Sequence, residues 1–161
     1  MNNKKRKKVR ALVLFSGGLD SILATLLLKE QGVEVELINF YTIFFDSKEA
    51  RKSAKLLRFP LREVDISEDF LKILKNPKYG FGAGVNPCID CHILMLKKAG
   101  QIRQQENFDL VATGEVLNER PMSQNKKALK IIEEEANLKG YLIRPLSAKF
   151  FEPTLAEKAG L

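Results

Sequence analysis

A glycine-containing loop is the first part of the sequence whose residue types could do chemistry. Residues 16–21 read Ser-Gly-Gly-Leu-Asp-Ser and directly follow an apolar run rich in Val and Leu. A strand, a tight turn and a helix start in this order point backbone N–H groups and the positive end of a helix dipole at one place, which favours phosphate. The loop has no lysine and matches neither G-x-x-x-x-G-K-[S/T] nor G-x-G-x-x-G. We therefore expect hydroxyls from Ser16 and Ser21, and a metal held at Asp20, to help bind the phosphates.

The only two cysteines, Cys88 and Cys91, form a C-x-x-C pair. One such pair is not the disulfide framework of a secreted protein, and it indicates redox, sulfur or metal chemistry. Cys88 follows Asn86 and Pro87 near a predicted helix start, where a thiol is more readily ionised. A persulfide on one cysteine could be transferred while the other resolves the linkage as a disulfide, and the sequence does not say which does which. The alternatives are plain structural thiols and a zinc or iron–sulfur site, although two cysteines with the adjacent His92 fall short of four zinc ligands.

A polar stretch after a predicted strand forms the third group of candidate residues. It contains Glu115, Arg120, Ser123 and Gln124, and the simpler interpretation is a loop in which Ser123 caps the next helix. Arg144 and Lys149 are candidate contacts to phosphate or RNA. We interpret His92 as a structural hydrogen-bond donor and leave it out of the predicted catalytic set.

The elements that must position these groups alternate between strand and helix. Apolar runs predict strands at residues 11–15, 33–40, 61–66, 108–112 and 141–143, with helices at 19–31, 46–57, from 67, after the cysteine pair, 123–137 and from 153. The strand runs are apolar on both faces, so the prediction is an α/β, Rossmann-like three-layer sandwich around a parallel sheet of about five strands. Ligands of such sheets bind at the carboxyl ends of the strands. All three candidate groups lie at that edge, and the glycine-rich segment 76–87 before the cysteines is predicted to be functional or mobile.

Three local expectations can be compared with the structure. The first helix should bury Ile22, Leu23, Leu26 and Leu27 as one apolar face. Asp46 and Glu49 have the spacing of a capping box for the second helix. Ser123 should begin the helix that runs to residue 137.

Composition indicates one globular domain. The chain has 161 residues, of which 45% are hydrophobic and 29% charged, and no apolar run approaches the roughly 18 residues of a membrane span. We predict a cytoplasmic protein without a membrane segment. The net charge of +7 favours an anionic partner, but much of it lies in a basic N-terminal arm that we assign to residues 1–10, ahead of a domain at 11–161. That arm is either a contact to phosphates or a solvated tail.

The motif S-G-G-L-D-S, together with N-P-C-I-D-C, A-T-G-E-V-L-N-E-R-P-M-S-Q and R-P-L-S-A-K, resembles a known family. These motifs extend over nearly the whole chain and are similar to those of the PP-loop ATP pyrophosphatases, which have the adenine nucleotide alpha hydrolase-like fold. Such enzymes cleave ATP between the α- and β-phosphates, adenylate an oxygen of the acceptor and release pyrophosphate. The set is most similar to the tRNA-thiolating branch, which includes 2-thiouridylase-like (TrmU/MnmA-like) and 4-thiouridine synthetase-like (ThiI-like) enzymes.

The resemblance implies an ATP-dependent tRNA uridine thiolase that uses Mg²⁺ and a sulfur donor, either a cysteine desulfurase, a sulfur carrier or inorganic sulfide. It implies catalytic roles for Cys88, Cys91 and Asp20. ATP would bind at Ser16, Gly17, Gly18, Leu19, Asp20 and Ser21, with its base and ribose near Asn39, Phe40 and Gly114. Contacts to the substrate would come from Asn86, Glu115, Arg120, Gln124, Arg144 and Lys149.

Two departures from the family leave alternatives open. Relatives that hold an iron–sulfur cluster use three cysteines, so a cluster here would need Asp90, an external ligand or a second subunit. Thiolases of this branch commonly carry further RNA-binding domains, so the sequence is either a piece of a longer protein or a minimal enzyme that relies on its basic arm or on a homo-oligomer. The rival functions are activation of a non-tRNA acceptor and a non-catalytic ATP or AMP sensor.

Overall fold

The computed structural model describes residues 8–160, and within them strands and helices alternate along the chain. The strands are β1 (Arg10–Leu14), β2 (Glu34–Tyr41), β3 (Leu61–Asp65), β4 (Leu110–Ala112) and β5 (Leu142–Ile143). The helices are α1 (Leu19–Glu30), α2 (Lys48–Leu57), α3 (Ser67–Lys75), α4 (Cys88–Gln105), α5 (Lys126–Glu135) and α6 (Leu155–Lys158), with short 3-10 helices at Ala83–Val85 and Pro145–Phe150.

The five strands form one sheet in the order β3-β2-β1-β4-β5, and every pairing in it is parallel. The predicted Rossmann-like α/β fold is therefore confirmed. β1 pairs with β2 on one side and with β4 on the other, so the strand order reverses at the β1–β4 pair. A reversal of this kind opens a crevice at the carboxyl ends of the two strands, which is the usual ligand site of open α/β sheets.

Alternating residues of β1 pack into two separate cores. Leu12 belongs to a cluster with Leu96 of α4 and Ile132 of α5 on one face of the sheet. Ala11 and Val13 belong to the other cluster, on the face covered by α1 and α2. Because both faces of the central strand are covered by helices, the carboxyl edge of the sheet is the place where a ligand can reach it.

The buried face of α1 differs from the prediction. Small and polar residues pack inward, and they are Ser21, Ala24 and Thr25 together with Leu28. Leu23 and Leu26 are instead 41% and 39% exposed. The apolar periodicity was misleading here because small side chains bring the helix close to the sheet and to Gly114, a demand that hydrophobicity alone does not reveal.

Two helix starts also differ from the predictions. The Asp46–Glu49 capping box does not form: Ser47 precedes α2, and its hydroxyl bonds to the Glu63 carboxylate. Helix α5 begins at Lys126, where the Asn125 side chain accepts a hydrogen bond from the Ala128 N–H at 2.9 Å. The predicted Ser123 cap is therefore wrong.

The basic arm lies largely outside the described residues, which begin at Lys8. Arg10 does not belong to it, because it is the first residue of β1. Its guanidinium lies 4.3 Å from the centre of the Phe108 ring and donates to the Glu106 carbonyl at 2.9 Å. Within residues 8–160 no helix combines the length and the apolarity needed to cross a membrane.

Candidate functional site

A cavity of about 390 Å³ opens at the carboxyl edge of the sheet, beyond the paired strands β1 and β4. Its apolar wall comes from strands β1 and β2 and from α4, and includes Leu14, Ile38, Phe40, Met95 and Leu96. Its polar wall contains Ser16, Asp20, Ser21, Asn39, Asp46, His92, Thr113, Glu115, Arg120 and Gln124, together with the Gly114 backbone. A volume of this size with one apolar side and convergent polar groups suits a nucleotide-sized ligand.

The glycine loop at the end of β1 has its polar groups arranged around two serine hydroxyls. The Gly17 N–H donates to Ser21 Oγ at 3.2 Å, and the Gly18 N–H donates to Ser16 Oγ at 3.2 Å. Ser21 Oγ in turn donates to the Gly18 carbonyl at 2.8 Å. Gly18 precedes α1, and no side chain within residues 8–160 caps this end of the helix. The first N–H groups of α1 therefore remain available to an anion.

Two close backbone approaches fix this loop. A side-chain carbon at Gly17 would lie 2.5 Å from the Glu49 carbonyl carbon at the start of α2, and Gly17 has φ +84°. A side-chain carbon at Gly114 would lie 2.7 Å from both the Asp20 carbonyl carbon and the Ser21 nitrogen. Glycine at these positions thus allows the loop after β4 and helix α2 to pack closely on two sides of the glycine loop at residues 16–21, which we call the phosphate loop.

Two cavity residues have buried acceptor atoms that nothing satisfies within the described part of the chain. Asn39 donates through Nδ2 to the Phe15 carbonyl at 2.8 Å, which leaves its Oδ1 without a partner. Gln124 Oε1 is likewise buried and unpartnered. Unsatisfied buried acceptors are costly, so both atoms fit a ligand that brings hydrogen-bond donors.

The C-x-x-C pair lies in the first turn of α4. Cys91 is buried, and burial, followed by the nearby Cys88 and Asp90, raises the pKa of its thiol to about 12. Cys88 is more accessible and begins the helix, where an N-terminus favours negative charge. The described residues that line the cavity do not include either cysteine. Cys88 and His92 are four residues apart and so lie on one helix face, which puts Cys88 one turn, or about 6 Å of helix rise, from a residue of the cavity wall.

The glycine-rich segment before the cysteines is fastened to α4 by Asp90. The buried Asp90 carboxylate accepts hydrogen bonds from the backbone N–H groups of Lys78 at 3.1 Å and Tyr79 at 3.0 Å. Farther along, the Asn86 carbonyl accepts from the N–H groups of Gly82 and Cys88. The segment is thus anchored at both ends beside the cysteine pair.

Arg144, predicted to contact substrate, is instead buried against Glu115, whereas Glu115 itself lines the cavity. Arg144 Nε donates to Glu115 Oε2 at 2.9 Å, and its Nη1 donates to Glu133 at 2.8 Å. The Arg144 side chain is 1% exposed and does not line the cavity, so no surface of it is left for RNA. Burial alone would raise the pKa of Glu115, but the hydrogen bond from His92 and the charges of His92 and Arg144 outweigh burial and lower it to about 2.

The other predicted site residues are distributed as follows. The cavity is lined by Ser16, Asp20, Ser21, Asn39, Phe40, Gly114, Glu115, Arg120 and Gln124, and its lining does not include Gly17, Gly18 or Leu19. Asn86 and Lys149 are exposed and lie outside the wall. No group of three or more His, Cys, Asp or Glu side chains within residues 8–160 could hold a metal ion, so the cysteine pair does not fit a zinc or cluster site built from described residues alone.

The sequence interpretation missed five polar or aromatic residues of the wall, and they are Phe15, Phe45, Asp46, His92 and Thr113. Phe45 and Asp46 follow β2, and their position just past a strand at the ligand edge was the available signal. His92 was dismissed as structural, although its spacing from Cys88 places it on the same face of α4.

Comparison with known proteins gives consistent results. The model of a family of unknown function, DUF7411, matches residues 9–151. The tRNA-specific 2-thiouridylase MnmA of Geotalea uraniireducens (strain Rf4) is 34% identical over 140 residues, covering 71% of this chain and 36% of the relative. The 7-cyano-7-deazaguanine synthase of Saccharolobus solfataricus is 44% identical over 85 residues, covering 50% of this chain and 18% of that protein.

Among solved structures, a 4-thiouridine synthetase in complex with RNA and bound ATP superposes with a TM-score of 0.68 and 26% identity, covering 86% of this chain and 37% of that chain. The chain thus spans well under half the length of these relatives. The motifs, the parallel sheet and these relatives agree with one another. The chain belongs to the family of unknown function DUF7411 and to the PP-loop ATP pyrophosphatases, in their tRNA-thiolation branch.

Proposed function

We propose that this protein is an ATP-dependent tRNA uridine thiolase. The observation that carries the proposal is a cavity that has the glycine loop in its wall and a C-x-x-C pair one helical turn away from it. The glycine loop follows β1, and the cysteines lie in the first turn of α4. His92, in the next turn of α4, lines the same cavity as Ser16 and Asp20. Similarity to a 2-thiouridylase and to an RNA-bound, ATP-bound 4-thiouridine synthetase supports both the nucleotide and the acceptor.

The loop is assigned to the phosphates of ATP and the apolar wall to its base. The free N–H groups of α1 provide donors for phosphate oxygens. The hydroxyls of Ser16 and Ser21, which donate to Ser21 Oγ and to the Gly18 carbonyl, would join them by rotating their hydrogens towards the ligand. Asp20 fits a divalent cation, because its carboxylate lines the cavity and has no hydrogen-bond or ion-pair partner within residues 8–160. Mg²⁺ held there would neutralise phosphate charge as pyrophosphate leaves. The protein's contribution is then chiefly to position the α-phosphate against the acceptor oxygen.

The uridine carbonyl oxygen attacks the α-phosphate, and the bond to the bridging oxygen breaks to release pyrophosphate. The accessible Cys88 carries the sulfur as a persulfide, supplied by a persulfide donor or by sulfide opening a Cys88–Cys91 disulfide. The terminal sulfur attacks the adenylated carbon and displaces AMP. Cys91 then attacks Cys88 Sγ, which forms the disulfide and releases thiouridine; the protons of the two sulfur nucleophiles pass to water.

Contacts to RNA are assigned to residues at the rim. Arg120 is exposed and lines the cavity, and Lys149 lies exposed beside the half-exposed Phe150 ring. The net charge of +7 suits a polyanionic acceptor. Asn86, in the exposed segment before Cys88, can contact the same RNA.

Replacing Cys88 with serine separates the two halves of the reaction. The variant should release pyrophosphate at the wild-type rate, because the phosphate loop is untouched, but should form at least about 100-fold less thiouridine, because the carrier is lost. Mass spectrometry of tRNA nucleosides after incubation with ATP, Mg²⁺ and sodium sulfide measures the product. Thiouridine made by Cys88→Ser at the wild-type rate contradicts the proposed carrier, and its absence from the wild-type reaction contradicts the proposed function.

A second candidate, activation of a small-molecule acceptor, is favoured by the local similarity to 7-cyano-7-deazaguanine synthase. The addition of RNA distinguishes the proposed thiolase from that alternative and from a pure ATP sensor. A thiolase cleaves ATP to AMP faster when tRNA is added, whereas neither alternative responds to RNA.

A further inference from the structure

One titratable group of the cavity wall has no part in the steps above. His92 lies in the second turn of α4, and its Nδ1 is 2.9 Å from Glu115 Oε1. The side chain is 22% exposed and lines the cavity together with Asp20 and Gly114. Its other ring nitrogen, Nε2, has no hydrogen-bond partner within residues 8–160.

The Glu115 carboxylate, which is the hydrogen-bond partner of His92, determines which ring nitrogen of His92 carries the hydrogen. Besides its contact with His92, the Glu115 carboxylate accepts hydrogen bonds from Thr113 Oγ1 at 2.9 Å and Arg144 Nε at 2.9 Å. The permanently cationic Arg144 lowers the pKa of Glu115 whether or not His92 is charged, so the carboxylate is ionised near neutral pH. An ionised carboxylate can only accept, so Nδ1 carries the hydrogen and Nε2 of the neutral ring keeps its lone pair.

The proposed reaction needs a base close to the uridine. A uridine carbonyl oxygen is a weak nucleophile while the adjacent N3 keeps its hydrogen. Removing that hydrogen moves the N3 electron pair into a bond with the carbon, and the carbonyl pair becomes the new bond to phosphorus. A neutral histidine oriented by a carboxylate is the usual side chain for such a transfer.

We infer that His92 is a catalytic residue of the proposed thiolation, and that its Nε2 removes the uridine N3 proton during adenylation. The inference rests on the proposed function. When Cys91 releases the product, the sulfur and the N3 atom of the thiouridine share a negative charge. The protonated His92 then returns the proton to N3. His92 ends each cycle neutral. Glu115 acts through His92 and is a positioning residue.

The substitution His92→Asn tests this role while keeping a donor for Glu115. Asparagine can place an amide nitrogen near the position of Nδ1 but has nothing at the position of Nε2. Pyrophosphate release in a single turnover with tRNA and ATP should fall about 100-fold or more, within the range for a general base. ATP affinity should change by no more than about threefold, since the phosphate loop is intact.

The pH profile supplies a readout that a structural role would not move. Wild-type pyrophosphate release should rise with pH through one ionisation, and His92→Asn should lose that rise. Other titratable or charged groups on the same wall are Asp20 from α1, Asp46 before α2, and Glu115 and Arg120 after β4, while Cys88 lies one turn away on α4. Lys98→Asn is the matched control, because Lys98 belongs to the same helix but lies outside the cavity wall, where its ammonium pairs with Asp69 at 2.8 Å. It should keep both the rate of pyrophosphate release and its pH profile, because the base at His92 is untouched.

Chemical rescue provides a second, independent test of the role of His92. His92→Ala leaves space for free imidazole, which should restore part of the pyrophosphate release in proportion to its concentration. His92→Asn at the wild-type rate with an unchanged profile, or a folded His92→Ala variant that imidazole does not rescue, overturns the role of His92 even if the wild-type protein thiolates RNA. If the wild-type protein shows no RNA-dependent pyrophosphate release, the proposed function itself fails.

Discussion

Replacing Arg144 with methionine is expected to lower the free energy of unfolding by about 3–5 kcal/mol. The change removes the hydrogen bonds from Nε and Nη1 to Glu115 and Glu133 and leaves a buried carboxylate short of its cationic partner. The midpoint and slope of urea denaturation measure the loss. Arg51→Met is the matched control, because Arg51 also pairs with a glutamate, Glu63, but its side chain is 62% exposed. That variant should lose no more than about 1 kcal/mol.

The Glu115–Arg144 ion pair should also affect how the free energy of unfolding depends on pH in acid. The folded-state pKa of Glu115, about 2, lies below its ordinary value of 4.5, so its ionised form stabilises the fold fully above pH 4.5. The stabilisation is lost as pH falls from 4.5 towards 2, and it is on the order of 3 kcal/mol. Arg144→Met raises the folded pKa and should move acid unfolding to higher pH, whereas Arg51→Met should not. Equal acid midpoints for Arg144→Met and the wild type contradict this assignment.

Replacing Gly17 with alanine is expected to lower ATP-dependent activity about 100-fold. The new carbon would collide with the Glu49–Ala50 backbone at 2.5–2.7 Å, so the phosphate loop must move away from α2. A displacement of about 1 Å can weaken a positioned reaction about 100-fold. We expect ATP affinity, measured by titration calorimetry, to fall by about that factor and the free energy of unfolding to fall by roughly 2–4 kcal/mol, from backbone strain plus overpacking.

The control for this prediction is Gly32→Ala. Gly32 has φ +81°, close to the +84° of Gly17, but a carbon added there meets nothing within 4 Å. It therefore shares the backbone strain of Gly17→Ala and lacks the collision. Gly32→Ala should lose about 1 kcal/mol of stability and keep its affinity for ATP. Similar ATP affinities for the two variants contradict a loop held in place by α2.

The parts of the fold that follow from local pattern were predictable. An apolar strand stopping at Ser16-Gly-Gly predicts a strand, a turn and a helix start, and repeated alternation predicts a parallel sheet. The reversal of strand order at β1–β4 then brings the residues after both strands together. For this reason, Asp20 and Gly114 were correctly expected at one edge.

The parts that depend on contacts between distant residues were not predictable. Glu115 and Arg144 are 29 residues apart, and nothing in their neighbourhoods indicates that each satisfies the other. A polar residue after a strand is equally typical of a substrate contact and of a buried ion pair. The inward face of α1 was missed for a related reason, because the close approach of Gly114 to the Asp20–Ser21 backbone favours a small residue at Ser21 over leucine.

The most direct test of the proposed function follows the oxygen atom that leaves uridine. The protein is incubated with ATP, Mg²⁺, sodium sulfide and tRNA that carries isotopically heavy oxygen at the uridine carbonyls. The mass of the AMP formed is then measured by mass spectrometry. If the carbonyl oxygen attacks the α-phosphate, each thiouridine formed is matched by one AMP that carries one heavy oxygen. Thiouridine accompanied only by AMP of ordinary mass, or ATP cleaved to ADP and phosphate, contradicts adenylation of uridine.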